Sequence, residues 1–268
     1  MPELPELEAI REVLIRQVIG VPIASAEVRR PTVLRFPSTT EFASLCADTE
    51  VGSVTRRGKF LLLHLANGYL IAVNPMLSGR FQLVPTSERL RARTCWLLRL
   101  ADGRDLRYYD DLNMGMTYVV TPEELRRIPR WDRMGPEALE VDFDQFRQRL
   151  RRHPGQVKNI LTNETFLTGI GNAYADEVLF SAGIYPYRTR PSLKPEEIER
   201  LYEAMRAVLI EAIGVVRGLM GDQIDLKPRE WLQVHGKGGE PCPKCGNRIS
   251  QITARQRLTN FCRHCQPP

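Results

Sequence analysis

The sequence predicts an α+β protein with an N-terminal β-sandwich that has a leading helix, a helical domain, and a small metal-binding β-hairpin module. Three observations carry this prediction. Short apolar segments separated by turn residues fill the chain up to about residue 109, helical periodicity begins near Thr121, and four cysteines lie in the last 27 residues. The predicted domains are 1–130, 131–228 and 229–268, and a chain of 268 residues can bury the cores that they need.

The leading helix is predicted over 5–19. Pro5 suits a first helical turn, Gly20 suits a helix end, and apolar residues recur at helical spacing at Ile10, Val13, Leu14 and Val18.

The β-sandwich is predicted from short segments rich in Val, Leu, Ile or Tyr that turn residues separate. These segments are 22–30, 51–57, 59–66, 69–74, 79–84, 94–101 and 105–109. Asn67 and Gly68 stand between two apolar segments, which predicts a hairpin with a type I′ turn.

The helical domain is predicted from a change of periodicity. The segment TPEELRRI from Thr121 is typical of a helix start, and further helices are predicted over 142–152, 156–163, 173–182 and 195–213. Asn172 is predicted to cap one of these helices and Gly183 to end it.

The charge distribution favours a phosphate-binding surface near the C-terminus. The chain carries a net charge of +6, and from Trp231 onward six Lys or Arg against one acid give a charge of +5. A basic module with few acids suits nucleic acid. A solvated basic face is the alternative if charge is considered alone.

The cysteines predict one structural zinc ion per chain. Cys242 and Cys245 form one CxxC pair, Cys262 and Cys265 form the other, and 16 residues separate the pairs. This spacing is typical of a four-thiolate zinc ribbon, and a pair of disulfides is the alternative. His264, between two ligands, is interpreted as a bystander.

The remaining composition predicts a cytoplasmic protein without an organic cofactor. Cys46 and Cys95 are isolated and are interpreted as semi-buried thiols. No run of 18 apolar residues occurs, so we expect no membrane partner, and the N-terminus does not resemble a signal peptide.

The N-terminus MPELPELEAI places Pro2 directly after the initiator Met. If Met1 is removed, Pro2 gains a free secondary amine with a reference pKa of about 8, which can form an iminium with an aldehyde carbon. Glu3 and Glu6 lie close enough in sequence to move protons. Pro and Glu are also common helix-opening residues, so this motif alone leaves both interpretations open.

Four features together resemble the formamidopyrimidine-DNA glycosylase/endonuclease VIII family. They are the PELPE start, the β-rich domain, the segment TGIGNAYADEVLF at 168–180 and the zinc ribbon, in that order along the whole chain. The resemblance implies a two-layer β-sandwich, a helix–two-turn–helix domain and a zinc-finger hairpin. It also implies a bacterial, nucleoid-associated, monomeric base-excision-repair enzyme that acts on damaged double-stranded DNA.

The resemblance assigns roles to residues of this chain. Pro2 matches the nucleophile that attacks the sugar anomeric carbon, Glu3 matches the general acid/base, and Lys59 of RRGKF matches a lysine that contacts phosphate and assists catalysis. Glu6 is expected among the DNA-contacting residues. The implied chemistry is base excision and AP-lyase cleavage through an iminium, by β- or β,δ-elimination.

Further matches imply side chains that bind the phosphates on either side of an everted nucleotide. Asn172 of GIGN, Arg257 of RQRLTNFC and Lys158 of VKNILTNETF match phosphate-binding residues of the family. Because a base inside the duplex stack cannot be reached, such contacts serve to hold the nucleotide outside it.

Two loops depart from the family pattern for oxidised purines. Where HLGMSG and DPRRFG are usual, this chain has NPMLSG at 74–79 and DDLNMG at 110–115. In the family, three side chains of these loops fill the space that the everted nucleotide leaves, and Leu77, Leu112 and Met114 stand at their positions; we call them the wedge residues. Leu112 replaces the Arg that recognises cytosine in the opposite strand. Leucine can pack but cannot make directional bonds to a base edge.

The remaining lesion-contacting positions differ too. Asn74 replaces the His of the first loop and Asn113 the second Arg of the other, while His235 stands where Tyr is common. Segment 214–230, where a lesion-capping loop is expected, matches poorly. We therefore expect a lesion specificity other than 8-oxoguanine opposite cytosine. A non-catalytic protein that binds damaged DNA on the same fold is the alternative, and no feature favours an RNA-acting zinc-ribbon protein.

Overall fold

The chain forms two compact units in a computed structural model that describes residues 1–254 and 257–268. The first unit comprises Met1–Asp132 with Val215–Lys227, and the second comprises Arg133–Gly214 with Pro228–Pro268. The division at 130 and 228, with a separate module from 229, stays a prediction. No helix in the described part of the chain combines the length and apolarity that a membrane span requires.

The first unit begins with the leading helix and is built around β-strands. Helix α1 spans Leu4–Gln17 and α2 spans Thr39–Cys46. The strands are β1 Pro22–Val28, β2 Leu34–Phe36, β3 Thr49–Arg57, β4 Phe60–Leu65, β5 Leu70–Asn74, β6 Gly79–Pro85, β7 Thr94–Leu100, β8 Arg104–Asp110 and β9 Met116–Val120.

The strands form the predicted β-sandwich, because β1 passes from one layer to the other. The hydrogen-bonded order is β2-β9-β5-β4-β3-β1-β7-β8-β6. Strand β1 pairs with β3 only at Pro22 and Ile23, whereas it pairs with β7 from Ile23 to Val28 after a register shift. Such an irregularity bends a strand and lets it leave one sheet for the next.

The sandwich core is aromatic and contains both isolated cysteines. Trp96 stacks on Tyr108 with 5.5 Å between ring centroids, and Phe42 and Phe81 also pack against the Trp96 ring. Cys46 and Cys95 are fully buried rather than semi-buried. Burial raises the pKa of the Cys46 thiol to about 12 and that of Cys95 to about 11, so neither is a reactive thiol.

The hairpin between β4 and β5 has a different turn from the one predicted. Gly68 has a φ of 89°, but Asn67 has no positive φ, and a type I′ turn needs positive φ at both central residues. The Leu65 N–H donates to the Tyr69 carbonyl at 2.8 Å, which closes a three-residue loop. Glycine is therefore needed at one position only.

Two strands and one α-helix of the first unit were not predicted, and one predicted helix has 3-10 rather than α-helical geometry. Strands β2 and β9 and helix α2 were missed, although Ser38 and Glu41 form a capping box at the start of α2. The segment from Thr121 forms a 3-10 helix over Pro122–Arg127 rather than an α-helix.

The second unit contains the predicted helices and the finger hairpin. Helices are α3 Phe143–Leu150, α4 Val157–Leu161, α5 Asn172–Ala182 and α6 Pro195–Met220, and the hairpin strands are β10 Ser250–Ala254 and β11 Arg257–Phe261. Gly183 ends α5 in the left-handed conformation with a φ of 65°, as predicted. Helix α6 extends seven residues beyond the predicted end at 213, so its last residues belong to the first unit.

Candidate active site and phosphate-binding residues

The N-terminal residues singled out by the sequence are buried at the start of α1. Pro2 is buried, and Glu3 and Glu6 are 2% and 1% exposed. Glu3 is the N-cap residue of α1, and its backbone N–H donates to Glu6 Oε2 at 2.9 Å. Two carboxylates are thus held next to Pro2 at the positive end of a 14-residue helix.

An ion pair connects α1 to the turn that carries Lys59. Arg56 Nε lies 2.9 Å from Glu8 Oε2, and Arg56 Nη1 donates to the Gly58 carbonyl at 2.9 Å. Burial raises the pKa of Glu8, but hydrogen bonds from Arg11 and Arg56 outweigh it, so the pKa lies below its ordinary value. Glu8 therefore stays ionised and holds Arg56 in place.

Lys59 occupies a tight hairpin turn between β3 and β4. Arg57 pairs with Phe60 across the turn, and Gly58 has a φ of 57° at the first central position, where glycine is favoured. The Lys59 side chain is 6% exposed. Trp131 supports the turn from the other side, with the Arg57 guanidinium 4.7 Å from its ring centroid.

The two loops that depart from the family pattern share one buried carboxylate. Asp110 is fully buried; its Oδ1 accepts hydrogen bonds from Ser78 Oγ and from the Leu112 N–H, and its Oδ2 accepts one from the Gly115 N–H at 2.6 Å. Ser78 belongs to one loop, Leu112 and Gly115 to the other. Asp110 therefore fixes both loops together.

The three predicted wedge residues project from these fixed loops. Leu77 is 49% exposed, Leu112 59% and Met114 40%. Each loop contains a non-glycine residue in the left-handed region, Met76 with a φ of 50° and Asn113 with a φ of 52°. Apolar side chains exposed on a strained, hydrogen-bonded frame are typical of a binding surface.

Tyr108 requires glycine in both loops. A Cβ added at Gly79 would lie 2.1 Å from the Tyr108 hydroxyl oxygen, and one at Gly115 would lie 1.9 Å from it. The hydroxyl is buried and has no hydrogen-bond partner among the residues that the structure describes, and burial raises the pKa of Tyr108. The two glycines thus serve close packing of the loops on this ring.

A cavity of about 550 Å³ lies beside the first wedge residue within the first unit. Its lining includes Leu77, Arg91, Tyr109 and Asp225. Arg91 Nη2 lies 2.6 Å from Asp225 Oδ2, and the Arg91 guanidinium lies 4.5 Å from the Tyr109 ring centroid. No sequence pattern predicted that segment 221–227 packs on the sandwich through the Arg91–Asp225 ion pair.

In the second unit, two predicted phosphate-binding residues converge on one carbonyl of the finger. Asn172 Nδ2 and Lys158 Nζ both donate to the Leu258 carbonyl, at 2.7 Å and 2.8 Å. Arg257 precedes Leu258 and is exposed, with Nη1 3.5 Å from Thr162 Oγ1. Asn172 does not cap α5 as predicted. Gly171 is the N-cap residue, and the Asn172 side chain faces β11 instead.

Two buried acids of α5 anchor the segments around the finger, and sequence reasoning missed both. Asp176 contacts Lys158 Nζ at 2.6 Å and His235 Nδ1 at 2.8 Å. Glu177 accepts hydrogen bonds from three successive backbone N–H groups at 233–235. Burial raises the pKa of Glu177 despite these bonds. Adjacent acids inside an otherwise apolar helix were the available signal.

The four finger cysteines form the predicted zinc site. Their Sγ atoms all lie within 4.8 Å of one another, and Cys242–Cys265 and Cys245–Cys262 are separated by 3.8 Å and 3.5 Å. A tetrahedral Zn–S₄ centre has sulfur–sulfur edges of about 3.8 Å, so four thiolates in this arrangement fit structural Zn²⁺. The site packs on Phe180 of α5.

The predicted site residues thus fall into two groups. Pro2, Glu3, Glu6, Lys59 and the wedge residues lie in the first unit, whereas Lys158, Asn172, Arg257 and the zinc ligands lie in the second.

Family models match along the chain in the same order as the structural elements. Residues 1–117 match the formamidopyrimidine-DNA glycosylase N-terminal domain, 134–223 match the H2TH domain of the same glycosylase, and 239–268 match a zinc finger found in FPG and IleRS.

Relatives and solved structures are similar over essentially the full length. Formamidopyrimidine-DNA glycosylase of Pelotomaculum thermopropionicum is 36% identical over 99% of both chains, and that of Heliobacterium modesticaldum is 37% identical over 99% of this chain and 100% of its own. Lactococcus lactis Fpg in complex with abasic-site DNA is similar with a TM-score of 0.89 at 26% identity, over 99% of this chain and 100% of its own. The same protein with Fapy-dG DNA gives 0.90 at 26% over the same shares.

We expect Gly115→Ala to destabilise the first unit by about 1–3 kcal/mol, because the added methyl group overpacks the buried Tyr108 ring and the Asp110 carboxylate. The free energy of unfolding in urea measures this. Gly155→Ala is the matched control, since a Cβ there meets nothing within 4 Å.

Tyr108→Phe should restore part of the stability lost in Gly115→Ala, because it removes the atom nearest the new methyl group. Equal destabilisation by Gly115→Ala with and without the hydroxyl would contradict this packing account.

Proposed function

The chain belongs to the formamidopyrimidine-DNA glycosylase family, and we propose that it excises damaged bases from double-stranded DNA and then cleaves the strand as an AP lyase. The proposed nucleophile is the Pro2 amine, freed by removal of Met1. Glu3 is the proposed general acid/base, Lys59 assists, and structural zinc holds the finger. The protein acts as a monomer in base excision repair.

One observation carries this proposal: Pro2 lies buried beside two buried carboxylates, directly before a helix that Glu8 and Arg56 connect to the turn of Lys59. A secondary amine near ionisable carboxyl groups and a lysine suits attack on a sugar carbon followed by proton transfer. A helix start with no catalytic role would not require Glu3 and Glu6 to be buried, since acidic residues at a helix N-terminus are stabilised when exposed as well.

In the proposed reaction the Pro2 nitrogen forms a bond to the anomeric carbon while the glycosidic bond breaks, and the base leaves with the proton of the amine. Glu3 protonates the ring oxygen as the sugar opens to an iminium. The C2′ proton then passes to the ionised Glu3 carboxylate as the 3′ phosphate leaves. In a second elimination the C4′ proton can pass to water as the 5′ phosphate leaves. The iminium is resolved by water, which returns the free amine.

Asn172 and Arg257 are proposed to bind the phosphates around the damaged nucleotide, and Lys158 is proposed to support them. Their convergence on the N-terminal end of β11 supports a common target. An everted nucleotide costs a few kcal/mol of unstacking, and fixed phosphate contacts offset that cost.

The lesion preference is proposed to differ from 8-oxoguanine opposite cytosine. Leu77, Leu112 and Met114 are exposed apolar side chains on a frame that Asp110 fixes, so they suit wedging into the space that the everted nucleotide leaves. None of the three can donate a hydrogen bond to a base edge in the opposite strand.

Borohydride should trap wild-type protein covalently on a duplex with one abasic site, and Pro2→Gly should trap at least about tenfold less, because a primary glycine amine replaces the positioned secondary amine. The amount of cross-linked complex on a denaturing gel measures this.

Pro5→Ala is the matched control for that experiment, since it changes a proline of the same helix start and should trap as wild type does. Binding to the abasic duplex without trapping or nicking, in protein that has lost Met1, would contradict the proposal and favour a non-catalytic DNA-binding protein.

Rates of base release should differ by less than about fivefold among the four bases opposite a single lesion, and Leu112→Arg should favour cytosine. A good bidentate contact supplies roughly 1–3 kcal/mol of discrimination, and a leucine supplies none. Single-lesion duplexes that vary in the opposite base, with base release and nicking measured separately, provide the test.

Leu112→Met is the control for that substitution, because it keeps an apolar wedge and should leave the opposite-base profile flat. A strong cytosine preference of the wild-type protein would contradict the interpretation of Leu112.

A further inference from the structure

Within the residues that the structure describes, 1–254 and 257–268, one edge of the finger strand β11 is not paired with another strand. Its pairing partner β10 lies on one side, with Leu258 opposite Thr253 and Asn260 opposite Gln251. Residues two apart in a strand direct their backbone groups to the same edge. The Leu258 carbonyl and the Asn260 N–H therefore face the same way, and both are bonded to side chains of other elements rather than to a strand.

Helix α5 supplies the missing edge partner. Asn172 and Asp176 are four residues apart and so face the same side of the helix. Asn172 Nδ2 donates to the Leu258 carbonyl at 2.7 Å, and Asp176 Oδ2 accepts from the Asn260 N–H at 3.1 Å. One donor and one acceptor on a helix thus replace the donor and acceptor of a neighbouring strand.

Lys158 makes this arrangement possible by compensating a buried charge. Asp176 is fully buried and Lys158 is 6% exposed. The three N–H donors of the ammonium have three acceptors within reach: Asp176 Oδ1 at 2.6 Å, the Leu258 carbonyl at 2.8 Å and Thr259 Oγ1 at 2.7 Å. A buried carboxylate persists only with such a partner.

We propose that Asp176 and Lys158 are positioning residues that fix β11 against α5 and thereby set the place of Arg257. The inference rests on the proposed function, in which Arg257 contacts a DNA phosphate. Arg257 is adjacent to Leu258, the residue held by both Lys158 and Asn172, and its guanidinium reaches Thr162 at the end of α4. Fixing the strand at 258–260 therefore fixes the start of the Arg257 side chain.

This inference gives Lys158 a different task from direct phosphate binding. An ammonium surrounded by a carboxylate, a carbonyl and a hydroxyl has its donors directed at the protein. Its effect on DNA then passes through Arg257 instead of adding a phosphate contact of its own.

The test is a double-mutant cycle on binding to a duplex with a tetrahydrofuran abasic-site analogue, followed by fluorescence anisotropy at several salt concentrations. Asp176→Asn and Arg257→Ala should each weaken binding about tenfold and lower the slope of log K against log salt by about one, the amount for one phosphate contact. Adding Asp176→Asn to Arg257→Ala should weaken binding by less than about twofold more.

Lys158→Met provides the second arm of the cycle. In the Arg257→Ala background it should leave the salt slope unchanged. A further decrease of about one in the salt slope would show that Lys158 binds a phosphate itself. Losses of binding affinity that multiply when Asp176→Asn and Arg257→Ala are combined would show that the two residues act independently. Either result overturns the proposal.

Controls separate positioning from loss of the fold. Zinc content by metal analysis should stay at one per chain in each variant, and Asp144→Asn, at an exposed acid of α3, should bind as wild type does. If Asp176→Asn loses zinc, Thr259→Val carries the same test, because it removes one acceptor of Lys158 from a buried strand position. The binding assay needs no catalysis. A wild-type protein that binds the analogue but is not trapped by borohydride would therefore refute the proposed chemistry, while the double-mutant cycle would still test the positioning role.

Discussion

The partly buried ion pair between Glu8 and Arg56 is the constraint on which the proposed active site depends. Glu8 lies one turn into α1, downstream of Pro2 and Glu3, and Arg56 leads into the turn of Lys59. Arg56 also bonds the Gly58 carbonyl, so one guanidinium holds the helix start and the hairpin turn together. An isolated surface pair would contribute little, but here Arg56 is 10% exposed and Arg11 gives Glu8 a second partner.

Buried carboxylates organise the two loops that are proposed to face DNA, and the finger strand, in the same way. Asp110 receives hydrogen bonds from both loops that carry the wedge residues. Asp176 receives one from the finger strand and forms an ion pair with Lys158. In each case a charged acceptor draws several donors to one point, which positions side chains that remain exposed for binding. The exposed wedge residues differ from the family pattern, whereas Arg257 follows it, and the supports of both are intramolecular and need no DNA.

Much of the fold and of the zinc site could be predicted because the signals are local. Short segments rich in Val, Leu, Ile or Tyr between turn residues indicated seven of the nine strands in the first unit, and CxxC spacing indicated the four thiolates. The residues Pro2, Lys59 and Arg257 followed from motifs, and their roles remain proposals. Strand β2 is only three residues long, and so offers too little alternation to predict.

The parts that could not be predicted depend on contacts between distant segments. Asn172 looked like a helix cap because its residue type suits one, but the finger strand recruits its amide. The only sequence signal for Asp176 and Glu177 was a pair of acids in an apolar helix, since their partners in segment 233–235 and in the finger lie 56 to 84 residues away. The attachment of segment 221–227 through Asp225 and Arg91 has no local signature at all.

Peptide mapping of the borohydride-reduced complex with abasic-site DNA tests the central claim most directly. After nuclease and trypsin digestion, mass spectrometry should find the sugar remnant on the nitrogen of Pro2, in the peptide of residues 2–11 without Met1. A remnant on Lys59 or another lysine, or a trapped protein that retains Met1, would contradict the assignment of Pro2 as the nucleophile.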